Sequence, residues 1–370
     1  MNDPLLGGSR PDGDEAVVIA EAGVNHNGSL DRAKELVDVA AEAGADAVKF
    51  QTFQADALAA GTVEKAAYQK ETTDAESSQQ EMLRDLELPP SFHDTLVQHC
   101  ADRGIPFLSS PFDRPSLDLL VRRFDLPCIK IPSGEITNAP LLLEIARSGR
   151  PAILSTGMST IDEVEAALGV LAFGYLQPNA DPSADGFRAA YASPDGQREL
   201  RDKVVVLHCT SEYPAPVDEV NLRAMDTLRS TFDLAVGLSD HTRGTSIPIA
   251  AVARGASVVE KHFTLDRTLP GPDHEASLEP GELSDMIEGI RRAEKALGSR
   301  CKRPTHSETK NRPVVRKSLV AAESISEGEP FTTENLTTKR PGRGLSPMRY
   351  WEMLSRRASR DYATDDLIAE

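Results

Sequence analysis

A chain of 370 residues with 39% hydrophobic and 27% charged residues has the make-up of a folded globular protein, and disorder, collagen and fibre are poor readings of it. Lys and Arg total 41 against 58 Asp and Glu, a net charge of −17, which argues against general nucleic-acid or membrane-surface binding. The length suits two or three domains, or one large α/β barrel with a small appendage. The charge is uneven: 10 basic and 9 acidic residues from Arg312 to Glu370 leave +1, whereas 31 basic and 49 acidic residues before them leave −18. Two units with different surfaces are therefore expected.

In chain order, short apolar runs alternate with helical patterns. The first run is Ala16–Ala22, followed by a helix with Ser29 as N-cap, apolar Ala33, Leu36, Val37, Ala40 and Ala41, and Gly44 at its end. Further strand-like runs follow at Ala47–Phe53, Pro106–Pro111, Cys128–Pro132, Pro151–Thr156, Lys203–Thr210, Leu234–Asp240 and Ser257–Thr264, and a closing helix is predicted at Pro280–Leu297. Eight continuous apolar strands with helical crossovers predict a parallel sheet buried on both faces, closed as a (β/α)8 barrel, a TIM barrel. An open doubly wound sheet is the weaker reading, because the turn Gly23-Val24-Asn25-His26-Asn27-Gly28 lacks G-x-G-x-x-G spacing. Two stretches read as long loops, Glu64–Gln80 on the strand-to-helix side and Asn179–Arg201 on the opposite side. The barrel is assigned to residues 1–297, a polar linker to 298–311, and a small, mostly β domain to 312–370, with a strand at Val314–Val320.

Cys100, Cys128, Cys209 and Cys301 form no C-x-x-C pair and read as reduced thiols of a cytosolic protein. The N-terminus lacks the basic start and apolar core of a signal peptide. The longest apolar run, Ala166–Leu176, falls short of the ~20 residues that span a bilayer. A soluble, cytoplasmic protein is expected.

Polar residues interrupt the strands at their C-terminal ends, where barrel sites collect. These are Glu21; Lys49 with Gln51; Ser109 with Ser110; Lys130 with Ser133 and Glu135; Ser155 with Thr156; His208; Ser239 with Asp240 and His241; and Lys261 with His262. One such serine is most simply a backbone-satisfying group, but eight polar ends together are costly unless they serve a ligand. His208, His241 and His262 lie on consecutive strands, which are ~4.8 Å apart, so they can share a metal ion. The pair His241 and His262 is favoured, and two imidazoles plus water suit Mn²⁺, Fe²⁺ or Zn²⁺. Lys49 and Lys130 suit a phosphate or carboxylate pocket, a Schiff-base nucleophile, or salt bridges to Glu21 and Glu135. Glu21 and Glu135 are the acid/base candidates.

The segments IAEAGVNHNGSLDRAKELVDVAAEAGADAVKFQTF, FLSSPFD, IKIPSGEITNAPLL, ILSTGMST, HCTSEYPAP, VGLSDHT and EKHFTLDRTLPGPDHEASL occur in this order, and the chain resembles the sialic acid synthases, including the legionaminate and pseudaminate synthases. The tail VRKSLVAAESISEGEPFTTENLTTKRPGRGL resembles their antifreeze-like SAF domain, a β-clip fold. The resemblance implies condensation of phosphoenolpyruvate with an N-acylated mannosamine-type sugar, giving a nine-carbon 2-keto-3-deoxy acid and phosphate with C–O cleavage. It implies phosphoenolpyruvate contacts at Lys49, Ser110, Lys130, Ser133, Ser155, Ser211 and Ser239, and a divalent metal, Mn²⁺ first with Mg²⁺ or Co²⁺ as alternatives, on His241 and His262. Sugar contacts fall on Glu21, Gln51, Tyr213 and Asp273. The implied catalytic set is Glu21, Glu135, Lys49 and Lys130. Arg316, with Lys317 as fallback, would reach the sugar's N-acyl group from a partner subunit in a domain-swapped homodimer. Ser211 and Ser110 stand where some relatives carry Asn and Thr. Competing expectations are a related 3-deoxy-sugar-acid synthase, a Schiff-base aldolase, and a carbohydrate-binding scaffold built on the tail.

Overall fold

The computed structural model describes residues 15–66, 69, 70, 73 and 77–370; the N-terminal segment and the middle of the Glu64–Gln80 stretch lie outside the described residues. The chain divides into two compact units, Met1–Gly298 and Ser299–Glu370.

The first unit is the barrel. Eight parallel strands, β1 (Val17–Gly23), β2 (Ala47–Thr52), β3 (Phe107–Pro111), β4 (Ile129–Ile131), β5 (Ala152–Ser155), β6 (Val204–Cys209), β7 (Ala235–Asp240) and β8 (Val258–His262), are hydrogen-bonded in the order β3-β2-β1-β8-β7-β6-β5-β4, and β3 lies beside β4 to complete the ring. β1 is the hinge of this register: Glu21 pairs with Lys49 on one side and His262 on the other. That pairing brings residues 241 positions apart in sequence to one end of the barrel.

Strand alternation gives each strand two destinations. Val17, Ile19, Ala47, Leu108, Cys128, Ile153, Val205, Leu207 and Val258 form a separate apolar cluster inside the barrel. The alternate residues, such as Val18, Ala20, Val48, Phe50, Ile129, Ile131, Val206 and Val259, join the larger core between strands and helices. Gly237 is required by this interior, because a Cβ there would sit 2.3 Å from the Val258 carbonyl oxygen. The inside of the barrel is thus a dry apolar floor with polar residues only toward the C-terminal ends of the strands.

The helices mostly start where caps predict. Ser29 accepts from the Arg32 N–H ahead of Leu30–Glu42, and the Thr160–Glu163 capping box opens Ile161–Leu176. Pro280–Leu297 closes the unit as expected.

Three expectations need correction. Asn179–Arg201 is not a loop: it holds the helices Ala184–Ala192 and Pro194–Lys203, each N-capped by a serine, Ser183 and Ser193. Their small and polar residues cover only part of the neighbouring helix, so the apolar stripe is weak. The polar stretch before the tail contains a helix, His306–Val315, started by a Thr305–Glu308 capping box and burying none of its residues. Val314 and Val315 belong to that helix. The tail's first strand, β9, is Ser318–Ala321, and it pairs antiparallel with β10 (Leu336–Lys339).

The second unit has its own small core, centred on Leu319, Ala321, Ile325, Phe331, Leu336, Met353 and Tyr362. Among the described residues, all four cysteines are free thiols and no helix is long and apolar enough to cross a membrane.

Candidate active site

At the C-terminal end of the barrel lies a cavity of about 470 Å³. It is lined by Glu21, Lys49, Gln51, Ser110, Lys130, Ser133, Glu135, Ser155, Ser211, Tyr213, Ser239, His241, His262 and Asp273, which is every site residue implied by the family resemblance except Arg316. Arg316 follows the helix His306–Val315 in the second unit and is exposed, as is Lys317.

The same strand ends also carried polar residues that do not line the cavity. Ser109 donates to the Phe50 carbonyl, Thr156 to the Leu207 carbonyl, and the His208 ring meets the Val220 carbonyl at 2.5 Å. Asp240 and Lys261 form a fully buried ion pair at 2.6 Å. Each sits one residue out of step with an inward-facing neighbour, so alternation turns it to the barrel's outer side. The expectation that all sixteen strand-end groups face a ligand therefore fails for these five. The same rule exposes a residue overlooked in the sequence: Glu260, two before His262, faces inward and lines the cavity.

Glu260 is the centre of the charge network. Its carboxylate lies 3.6 Å from Lys49 Nζ and 3.5 Å from Lys130 Nζ, and Ser239 donates to it at 2.9 Å. Lys49 is also paired with Glu21 at 2.6 Å and donates to Ser110. Lys130 donates to Ser155 at 2.8 Å and to the Ile131 carbonyl. All four charged side chains are buried.

The environments pull these groups apart. Burial pushes Glu21 up to about 7 against the pull of Lys49. Burial also opposes the charge on Glu260, but Lys130 and Lys49 outweigh it and hold this carboxylate below its ordinary range. Lys49 is depressed by burial and raised more strongly by Glu21 and Glu260, whereas at Lys130 burial outweighs the pull of Glu260 and holds it below the usual lysine range. Two ammonium groups flanked by serine hydroxyls, above an apolar floor, make a receptacle for a small polyanion.

Beside this cluster stand the two histidines. The His241 Nδ1–H donates to the Thr210 carbonyl at 2.7 Å, which directs the Nε2 lone pair elsewhere. Its ring is 5.4 Å from that of His262, and the Tyr213 ring covers it at 4.0 Å. His262 Nδ1 is buried with no hydrogen-bond partner, 3.7 Å from an Asp273 carboxylate oxygen. Burial, with His241 and Lys49 beside it, keeps His262 neutral, and burial raises Asp273 to about 6. Burial lowers His241 too, but Cys209 and the Thr210 carbonyl more than offset it. An unsatisfied imidazole nitrogen next to a second, oriented imidazole fits a divalent cation. Among the described residues no three His, Cys, Asp or Glu side chains converge as a cage, so such a cation would keep positions open for water or substrate oxygens.

Glu135 occupies the short turn Ser133–Glu135 after β4, where burial raises its carboxyl and Asn138 donates to it. Gly157 lets the chain after β5 approach closely. Its N–H donates to Ser133 at 2.9 Å, and a Cβ there would lie 2.2 Å from Ser211 Oγ and 2.8 Å from Ser133 Oγ. The outer wall is apolar, with Leu58, Met82, Leu83, Leu86, Phe112 and Met158.

A (β/α)8 barrel with buried lysines, their partner carboxylates and two imidazoles gathered at the C-terminal ends of its strands has the architecture of an enzyme active site. The chain belongs to the NeuB family, whose model matches residues 36–302, and the SAF domain model matches residues 316–370. It is 48% identical to the N,N'-diacetyllegionaminic acid synthase of Campylobacter jejuni over 96% of this chain and 99% of that one. The corresponding Legionella pneumophila synthase is 44% identical over 96% and 94%. Among solved structures, the N-acetylneuraminic acid synthetase of Leptospira borgpetersenii, in complex with citrate, aligns with a TM-score of 0.65 and 32% identity over 80% of this chain and 90% of that one. The protein is thus a synthase of the sialic-acid type, an enzyme and not a carbohydrate-binding scaffold.

Proposed function

We propose that this enzyme condenses phosphoenolpyruvate with a 2,4-diacetamido-2,4,6-trideoxy sugar of mannose configuration to form a diacetylated legionaminic acid and phosphate. The observation that carries the reading is the Lys49–Glu260–Lys130 cluster with its serines, next to the His241–His262 pair in one cavity. The choice of sugar rests on the extent of similarity to the two legionaminic acid synthases. It also rests on the apolar wall, which suits a methyl group and acetyl groups better than extra hydroxyls.

Lys49, Lys130, Ser110, Ser133, Ser155, Ser211 and Ser239 hold the phosphate and carboxylate of phosphoenolpyruvate, so the anion is desolvated and fixed before reaction. Glu21, Gln51, Tyr213 and Asp273 orient the open-chain sugar with its aldehyde against C3. His241 and His262 would hold a divalent cation, Mn²⁺ being well suited, which would supply polarisation of the aldehyde oxygen. C3 of the enol phosphate forms the new C–C bond, the aldehyde oxygen takes a proton, and C2 is left electron-poor. Water adds at C2 and loses a proton to a carboxylate, for which Glu135 is the candidate. The C2–O bond to phosphate then breaks, the remaining C2 hydroxyl proton passes to the departing phosphate, and the C2 ketone forms. Lys130 acts as a charge and not as an imine former, so borohydride traps no adduct. We further propose a cytoplasmic homodimer in which Arg316 of one chain completes the sugar site of the other.

The decisive experiment incubates the protein with phosphoenolpyruvate, Mn²⁺ and each of N-acetylmannosamine and the diacetamido-trideoxy sugar, measuring phosphate release. Preference for the diacetamido sugar supports the reading. Equal or better use of N-acetylmannosamine overturns the sugar, and no release with any sugar overturns the function.

A further inference from the structure

The turn Asn25-His26-Asn27-Gly28 after β1 contributes no side chain to the cavity. Its side chains instead grip the loop after β8. Asn25 Nδ2 donates to the Phe263 carbonyl at 2.7 Å and to Ser277 Oγ at 2.9 Å, and Ser277 Oγ in turn donates to the backbone carbonyl of Asp273 at 2.6 Å. Asn27 Nδ2 donates to the Pro270 carbonyl at 2.7 Å, and its Oδ1 meets His274 Nε2 at 3.1 Å. The other His274 nitrogen is tied to Thr264 Oγ1 at 2.7 Å. Both ends and the middle of the 263–278 loop are therefore held from one turn, and the held segment is the one that brings Asp273 into the cavity.

We propose that Asn25, Asn27 and Ser277 are positioning residues that set the Asp273 carboxylate for the sugar, an inference that rests on reading Asp273 as a sugar contact. The physical reason is the register. β1 and β8 are neighbours, so the turn after β1 lies beside the loop after β8, and two asparagines satisfy backbone groups that would otherwise leave that loop with several placements. If only a fraction of molecules hold Asp273 in place, the apparent sugar affinity falls by that fraction, while phosphoenolpyruvate, held by residues on or just beyond β2 to β7, is unaffected.

The test uses Asn27→Gly. Asn27 has φ 47°, a left-handed conformation that glycine adopts freely, so this change removes both side-chain bonds without straining the turn. Ser277→Ala provides a second variant at an independent link. With phosphoenolpyruvate, Mn²⁺ and the diacetamido-trideoxy sugar, each variant is expected to raise the sugar KM about 10-fold with the phosphoenolpyruvate KM changed less than about twofold. In an Asp273→Ala background, Asn27→Gly adds less than about twofold, because the group it positions is gone. Hydrogen exchange of the same proteins is expected to speed up about 10-fold across residues 266–277 and to stay unchanged in β2 to β7. An unchanged sugar KM, equal shifts in both KM values, full additivity with Asp273→Ala, or unaltered exchange across 266–277 overturns the proposal. A wild-type chain that releases no phosphate with any sugar counts against the function instead, and exchange alone then decides whether the turn holds the loop.

Discussion

Glycine 157 shows how little room the anion pocket leaves. Gly157→Ala would drive a methyl group into the hydroxyls of Ser211 and Ser133, so kcat/KM for phosphoenolpyruvate should drop about 100-fold in phosphate-release assays while the fold persists. Glu260 works in the opposite sense, as the counter-charge of the unliganded pocket. Glu260→Gln leaves Lys130 without its close carboxylate partner and should cost about 3 kcal/mol in urea unfolding. Saturating phosphoenolpyruvate should recover part of that loss, since its oxygens replace the carboxylate. His26 governs a pH effect away from the chemistry. It is fully buried, accepts from the Gly28 N–H, and is depressed by burial to about 3. Between the free value of 6.5 and about 3 the unfolded chain binds a proton that the folded chain does not. Stability is therefore full above pH 6.5 and falls toward pH 3, by up to about 1.4 kcal/mol per pH unit. Urea midpoints at pH 7.5 and 5 should converge in His26→Asn, which keeps an acceptor but cannot be protonated; an unchanged gap between them would assign the acid sensitivity to other groups.

At the scale of elements, the strands were legible in the sequence and the polar helices were not. Continuous Val, Ile and Leu runs mark strands buried on both faces, and all eight were found close to their expected bounds. The polar residues at the strand ends form two populations, separated by alternation. Lys49, Lys130, Ser155 and His241 face the mouth, whereas Ser109, Thr156, His208 and Lys261 face outward. Counting by twos from Val258 would also have found Glu260. The helices Ala184–Ala192 and Pro194–Lys203 escaped because alanine, aspartate and glycine carry no strong apolar period, leaving serine caps and Pro194 as the only signals. Their packing is nevertheless tight: a Cβ on Gly196 would lie 2.0 Å from the Ala190 carbonyl. Gly196→Ala should thus lower stability by about 1–3 kcal/mol in thermal unfolding with kcat unchanged, since these helices lead into the N-terminal end of β6, away from the mouth.

For the whole molecule, the net charge of −17 describes a surface, while the pocket proposed to receive an anion is built around two buried lysines. The acidic exterior disfavours nucleic acid and leaves a small, well-desolvated polyanion its place. The proposed exchange of Arg316 between subunits can be tested by complementation. Chains carrying Arg316→Ala and Lys130→Ala are each expected to be nearly inactive. Unfolded and refolded together, they should regain about a quarter of the wild-type rate, because half of randomly formed dimers are mixed and each mixed dimer has one intact site. No recovery on mixing would mean that the arginine serves its own barrel.

The two halves of the cavity differ in what carries them. The lysine and serine side comes mainly from strands locked into the barrel ladder, while Asp273 and most of the apolar wall (Leu58, Met82, Leu83 and Leu86) come from the connecting segments that follow β8 and β2. Drift in those segments reshapes the sugar pocket without disturbing the lysines and serines beneath. On the proposed function, a lineage built on this barrel changes which sugar it accepts by exchanging connectors, and a graft of these two segments from a relative with a different acceptor is expected to swap specificity while retaining the same donor.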